Sequence, residues 1–183
     1  MIDLHAARRV RLLGLDVDGV LTNNAVYLGL AGGERVEFKQ FDIQDGLGIG
    51  LARRAGLLVA WVSGRHSEAT TLRATELAVD DLVQDRAAQK VPALAAVLER
   101  RGVAWDEVAF VGDDLADLPV LRRVGLPIAV ANAVGDVRGA AAYVTTAAGG
   151  AGAVREVVEL LLRAQGRWDA TLQSYLSERE ASA

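Results

Sequence analysis

At 183 residues, 51% hydrophobic and 24% charged, the chain is long enough to bury the core of one domain unaided. It has no cysteine, which excludes a disulfide framework and thiolate metal sites, and no apolar run of the length a membrane span needs. A net charge of −4 and few aromatics argue against a nucleic-acid partner, although Arg supplies 18 of the 20 basic residues. The opening Met1-Ile2-Asp3-Leu4-His5 lacks the apolar centre of a signal peptide, so no membrane association and a cytoplasmic location are expected.

In chain order, residues 10–15 form a short apolar run that ends in Asp16-Val17-Asp18-Gly19. A buried parallel strand delivering side chains to its carboxyl edge reads this way. Alternation turns Asp16 and Asp18 to one side, and Gly19 permits a sharp turn that offers backbone groups to a ligand. Two acids this close repel unless a cation lies between them. A magnesium-type ion with oxygen ligands is the candidate, and an Asp beside it can attack phosphorus. Asp-x-Asp-Gly also occurs in calcium loops and ordinary turns, so context must decide.

Residues 25–30 and 35–41 are strand-like runs joined by Ala31-Gly32-Gly33-Glu34, which predicts a hairpin. Residues 45–55 predict a helix capped by Asp45 and ended by Gly56. Residues 57–62 are the next strand, closing on Ser63-Gly64-Arg65, and are followed by a helix over 67–77 and a strand at 81–83. Residues 90–101 carry Val91, Leu94, Ala95, Val97 and Leu98 at helical spacing, with Pro92 in the first turn. A strand at 108–111 breaks at Gly112-Asp113-Asp114; then come a helix over 114–124, a strand at 126–130, a helix over 134–142 and a small strand at 143–145. Gly149-Gly150-Ala151-Gly152 is a loop before a helix over 153–164, and the sequence from Gln165 shows little pattern. Strands alternating with helices predict an α/β fold, a doubly wound parallel sheet with helices on both faces. One domain over 1–169 with a tail over 170–183 is expected.

Ligands of such a sheet sit beyond the carboxyl ends of its strands. Those ends supply Asp16, Asp18, Ser63, Asp113 and Asp114, and a helix start supplies Lys90. Phosphoryl transfer needs such a set: a nucleophile, metal-holding oxygens, and donors for the phosphoryl oxygens. Singly, Ser63 could be a strand-end cap, Lys90 a solvated helix start and the Asp113 pair an N-cap. Their appearance together and in order favours the catalytic reading. His5 and His66 read as surface residues, since neither has the neighbours of a ligand set.

These segments resemble the four motifs of the haloacid dehalogenase superfamily of phosphatases: Asp16-Val17-Asp18-Gly19-Val20, Ser63-Gly64-Arg65, Lys90, and Gly112-Asp113-Asp114-Leu115-Ala116-Asp117. The resemblance implies a Rossmann-like core with Asp16 as a nucleophile that becomes an aspartyl phosphate, and Asp18 as general acid and base. It implies Mg2+ held by the Asp16 and Asp113 carboxylates and the Asp18 carbonyl. Ser63, Gly64 and Lys90 would bind the phosphoryl oxygens, with Asp114 and Asp117 in support.

Over about residues 10–169 the chain is also similar to the 3-deoxy-D-manno-octulosonate 8-phosphate phosphatase family. The likeness rests on the hairpin insert in place of a cap domain, Phe41-Asp42-Ile43-Gln44-Asp45-Gly46-Leu47-Gly48-Ile49, the glycine-rich segment running to Glu156, and Ala164-Gln165-Gly166. It implies a homotetramer in which a neighbour covers each active site, and an exposed half-apolar hairpin needs some such partner. It implies further that Asp42, Gln44, Asp45, Gly46, Arg65 and Arg73 line a sugar-acid pocket, with Arg155 near the neighbouring site. Gln44 stands where the family has Arg, the hairpin is about three residues longer, and residues 84–89 lack the family's glycine. A nine-carbon sialic-type acid phosphate and a broad set of phosphosugars therefore stay open as substrates. Relatives with the nine-carbon preference carry Glu at Arg65, which favours the eight-carbon acid. A phospho-accepting receiver module is the reading from another class; it would put its phosphorylated Asp on the third strand, where this chain has Ser63.

Overall fold

Leu12, Leu13 and Leu15 are fully buried because the strand they form lies at the centre of the sheet. In the computed structural model, which describes residues 3–85, 87 and 89–181, that strand is β1 (Leu12–Leu15), preceded by α1 (Leu4–Arg9). The chain continues through β2 (Tyr27–Ala31), β3 (Glu34–Phe38), α2 (Ile43–Arg54), β4 (Leu58–Ser63), α3 (Glu68–Glu76), β5 (Asp81–Gln84) and α4 (Lys90–Arg101). After these come β6 (Val108–Gly112), α5 (Leu118–Leu121), β7 (Leu126–Ala129), α6 (Gly135–Ala140), β8 (Tyr143–Val144), α7 (Ala153–Ala164) and α8 (Trp168–Ala181).

Six strands form one sheet in the order β5-β4-β1-β6-β7-β8, every adjacent pair parallel. Crossovers from β1 to β5 run one way and those from β5 onward return past β1, so right-handed connections put α2 and α3 on one face and α4 to α6 on the other. This is the doubly wound architecture expected from the alternation. Between β1 and α2 lies only the antiparallel hairpin β2–β3, where the insert was expected. Trp61 on β4 and Phe110 on β6 are the largest fully buried side chains. Buried Val154, Val157, Val158, Leu161 and Leu162 make the i, i+3, i+4 stripe that seats α7.

Local expectations needed correction in four places. The cap of the first long helix is Asp42, not Asp45: its Oδ1 accepts the amides of Gln44 (2.6 Å) and Asp45 (3.2 Å), so α2 begins two residues earlier. The stretch over 114–124 is no single helix; Asp114 and Asp117 hold a 3-10 turn (Leu115–Asp117), and only then does Pro119 open the single turn of α5. Two helices lay outside the reading. Asp3 caps α1 through His5 N (2.8 Å) and Ala6 N (3.2 Å). The stretch after Gln165 contains α8, which buries Trp168 and Thr171 and packs Leu172 and Tyr175 only partly against the core. In residues 84–89, where the family glycine is missing, Arg86 and Ala88 lie outside the described residues.

Candidate active site

The site is built where β4, β1 and β6 end side by side. Asp16 follows β1 and is locked to the neighbouring strand by its amide, which donates to the Val111 carbonyl at 3.0 Å. Gly19 has φ +92°, and a Cβ there would overlap the Asp113 carboxylate, so the turn must lack a side chain to let the two acidic loops meet. Thr22, fully buried, closes the turn by accepting the Gly19 amide at 3.3 Å.

Lys90 enters from the start of α4. Its ammonium stands 2.7 Å from Asp16 Oδ1 and 2.7 Å from Asp117 Oδ1. Asp117 is fully buried, and its other oxygen accepts the amides of Asp113 (3.0 Å) and Asp114 (3.3 Å). Asp117 thus ties Lys90 to the β6 loop. Burial alone would push the Lys90 ammonium down, but Asp16 and Asp117 more than offset it, and its pKa is raised. Asp16 is pushed up to about 6, first by burial and then by Asp117, against the pull of Lys90.

The carboxylates of Asp16, Asp113 and Asp117 each bring an oxygen within 4.8 Å of the others. Burial, then the charges of Asp16 and Asp117, push Asp113 up to about 8. Its Oδ1 is buried with no hydrogen-bond partner, while Oδ2 takes only a 3.4 Å contact from Asn24 Nδ2. A divalent cation fits this arrangement: hard oxygen donors converge, and one of them is buried and unpartnered. Because both oxygens of Asp117 are engaged, Asp16 and Asp113 are the carboxylates free to hold it.

A cavity of about 300 Å³ opens above these groups, lined by Asp16, Asp18, Asn24, Ser63, Gly64, Arg65, Lys90, Asp114 and Ala116. Ser63 is buried at the end of β4, its hydroxyl bracing the turn to Arg65 through contacts of 3.0 and 3.1 Å. Asp18, half-buried, holds Lys39 Nζ at 2.6 Å and lies 3.8 Å from Arg65 Nη1. Asp114 is exposed and caps the following turn through Leu115 N at 2.7 Å.

The residues expected in a sugar pocket are dispersed, and Arg65 alone of them lines this cavity. Asp42 is spent on capping, and Gln44 is exposed beside it. Asp45 is buried and accepts the Arg155 amide at 2.8 Å, which ties α2 to the start of α7. Arg73 packs against Gly46, where a Cβ would overlap its guanidinium, and pairs with Glu76 at 2.8 Å. Arg155 bonds Glu159 at 2.7 Å and lies over the Trp168 ring. His5 and His66 are exposed, as expected.

Lys39, Glu37, Asn24 and Asn132 were not anticipated. Asn132 joins the acidic turn to the glycine-rich loop, donating to Gly19 O at 3.2 Å and accepting Gly149 N at 2.6 Å. A signal existed for Lys39: with 18 Arg among 20 basic residues, it and Lys90 are the chain's two lysines, and both reach catalytic-loop acids.

Residues 53–157 match the haloacid dehalogenase-like hydrolase family model. The 3-deoxy-D-manno-octulosonate 8-phosphate phosphatase of Escherichia coli K12 is 44% identical over 163 residues, 89% of this chain and 85% of that relative. The same-named phosphatase of Moraxella catarrhalis, solved with magnesium, phosphate and KDO, superposes with a TM-score of 0.87 at 35% identity, covering 94% of this chain and 97% of that one. A cobalt-bound form of the Haemophilus influenzae phosphatase gives 0.82 at 33% identity, over 88% and 92%. The chain therefore belongs to the haloacid dehalogenase-like hydrolases and, among them, to the family of the 3-deoxy-D-manno-octulosonate 8-phosphate phosphatases.

Proposed function

We propose that this chain is a magnesium-dependent phosphatase that hydrolyses 3-deoxy-D-manno-octulosonate 8-phosphate. The observation that carries the reading is Asp16 itself, held 2.7 Å from the Lys90 ammonium at the floor of a cavity it shares with Asp18, Ser63 and Gly64. Magnesium, when bound by the Asp16 and Asp113 carboxylates and the Asp18 carbonyl, neutralises the phosphate and the acids that face it.

Asp16 attacks phosphorus with one carboxylate oxygen, and the bond from phosphorus to the sugar oxygen breaks. Asp18 gives that oxygen a proton, so the sugar leaves as an alcohol and Asp16 carries the phosphoryl group. Asp18 then takes a proton from water as the water attacks phosphorus, which releases inorganic phosphate and restores both acids. Lys90, the Ser63 hydroxyl and the Gly64 amide bind the phosphoryl oxygens. Asp117 fixes Lys90, and Asp114 fixes the turn between them. Arg65 takes the substrate carboxylate, Asp42 and Gln44 form the outer wall of the sugar pocket, and Asp45, Gly46, Arg73 and Arg155 support that wall from behind.

The proposal includes a single phosphatase domain and a cytoplasmic homotetramer. Supporting the assembly, the hairpin exposes Leu28 (57%), Leu30 (78%) and Phe38 (63%). Among the described residues no helix is long and apolar enough to cross a membrane.

Phosphate release over a panel of esters with magnesium tests the substrate. The expected order in kcat/KM is the eight-carbon sugar-acid phosphate first, then a nine-carbon sialic-type acid phosphate, then neutral hexose phosphates. Equal turnover of all three would overturn the assignment.

A further inference from the structure

We propose that Lys39, carried by the hairpin of the same chain, is a positioning residue for Asp18, with Glu37 holding Lys39 and Arg65 in place around it. The inference rests on the phosphatase reading and deepens it. No part of the Lys39 side chain is exposed, although the strand before it, β3, stands away from the sheet. A buried ammonium needs a carboxylate, and Lys39 has two. Asp18 Oδ1 is 2.6 Å away, and Glu37 Oε1, buried and without a hydrogen bond, is 3.9 Å away.

The second Glu37 oxygen accepts Arg65 Nη2 at 3.0 Å, and Arg65 Nη1 returns to within 3.8 Å of Asp18 Oδ2. Asp18, Lys39, Glu37 and Arg65 thus form a closed ring of alternating charge, two of whose members come from the hairpin. The two oxygens of Asp18 are treated differently. Oδ1 is fixed by a hydrogen bond to Lys39, while Oδ2 lies beyond hydrogen-bond reach of Arg65. A group that hands over a proton works from one orientation, and holding one oxygen presents the other.

Lysine suits the place better than arginine. Its compact point charge fills a closed space at one oxygen, where a guanidinium fork would compete for both. In a chain with 18 Arg among 20 basic residues, the amine here and the amine on Asp16 are the exceptions. The hairpin is therefore part of its own chain's catalytic apparatus as well as an exposed surface.

The test compares wild type, Lys39→Met and Lys39→Ala, all with magnesium, on the eight-carbon sugar-acid phosphate and on 4-nitrophenyl phosphate. Removing a side chain that orients a catalytic group costs about 10–100-fold in activity. Lys39→Met should lose that much kcat on both esters, keep KM within about threefold, and retain the wild-type melting transition and sedimentation. Ethylammonium should restore a saturable part of the Lys39→Ala rate. A Lys39→Met kcat within about twofold of wild type overturns the inference, as does a loss confined to KM, or a Lys39→Ala loss that ethylammonium leaves unrelieved, as a purely structural role would give. A wild type that releases no phosphate from either ester overturns the phosphatase reading and this inference with it. An active wild type beside an unimpaired Lys39→Met overturns this inference alone.

Discussion

Burial, then Asp117, pushes Asp16 towards neutrality, to about 6, and burial, then Asp16 and Asp117, pushes Asp113 to about 8, whereas the proposed reaction needs both as carboxylates. Lys90 supplies one positive charge to a group of three buried acids, which is why a divalent cation belongs there and why each acid has a separable role. Asp16→Asn keeps the shape but cannot attack phosphorus; it should lower kcat by roughly 10³-fold or more while leaving the unfolding transition in place. A variant retaining a tenth of wild-type activity would contradict the nucleophile assignment. Asp113→Ala should instead shift the magnesium concentration for half-maximal activity upward by at least about tenfold, read from a metal titration. An unchanged titration midpoint would remove Asp113 from the metal site.

The connections between elements explain why the acidic turn stays in place. Gly149 lies against the turn so closely that a Cβ would overlap the Gly19 carbonyl, and Gly150 donates to Val20 O at 3.0 Å. Gly149→Ala should cost about 1–3 kcal/mol in denaturant unfolding and lower kcat by displacing Asp18. Asp45, the link from α2 to α7, gives a pH signature. Burial raises its folded pKa from 3.8 to about 6, so the folded state holds a proton that the unfolded state releases between those values. The corresponding stability is present below pH 3.8 and lost as pH rises through about 6. Asp45→Asn should therefore gain on wild type between pH 4 and 7 by roughly 3 kcal/mol at most, and parallel stability curves would refute this. Much of this scale could be read from sequence. Strands β1, β4 and β6 are apolar runs that end in polar residues, and α4 and α7 carry full apolar stripes, so their edges were legible. α8 was not: it buries Trp168 and Thr171, packs Leu172 and Tyr175 only partly against the core and leaves Leu176 exposed, so its inner face stands out little from the polar residues around it. The motif acids were legible as a local pattern, whereas Lys39 meets Asp18 only after the hairpin folds back over 21 positions.

At the scale of the whole molecule, the cavity is open above Asp18 and Arg65, and the hairpin beside it turns Leu28, Leu30 and Phe38 to solvent. Phosphoryl transfer benefits from excluded water, and the proposed homotetramer would supply a second copy to cover this face. Val26→Asp with a shortened turn over residues 31–34 should yield monomers in sedimentation. These should lose more kcat/KM on the sugar-acid phosphate than on 4-nitrophenyl phosphate, whereas native sedimentation as a monomer would show that one chain suffices. In the proposed reaction Asp16 carries the phosphoryl group. The most direct measurement mixes enzyme, magnesium and 3-deoxy-D-manno-octulosonate 8-phosphate, quenches in acid within one turnover, reduces with borohydride and reads the peptide over residues 12–35 by mass spectrometry. Homoserine at Asp16, the reduction product of an aspartyl phosphate, is the expected result. An unmodified Asp16 in a sample that has released phosphate, or modification at Asp18 or Asp113 instead, would contradict it.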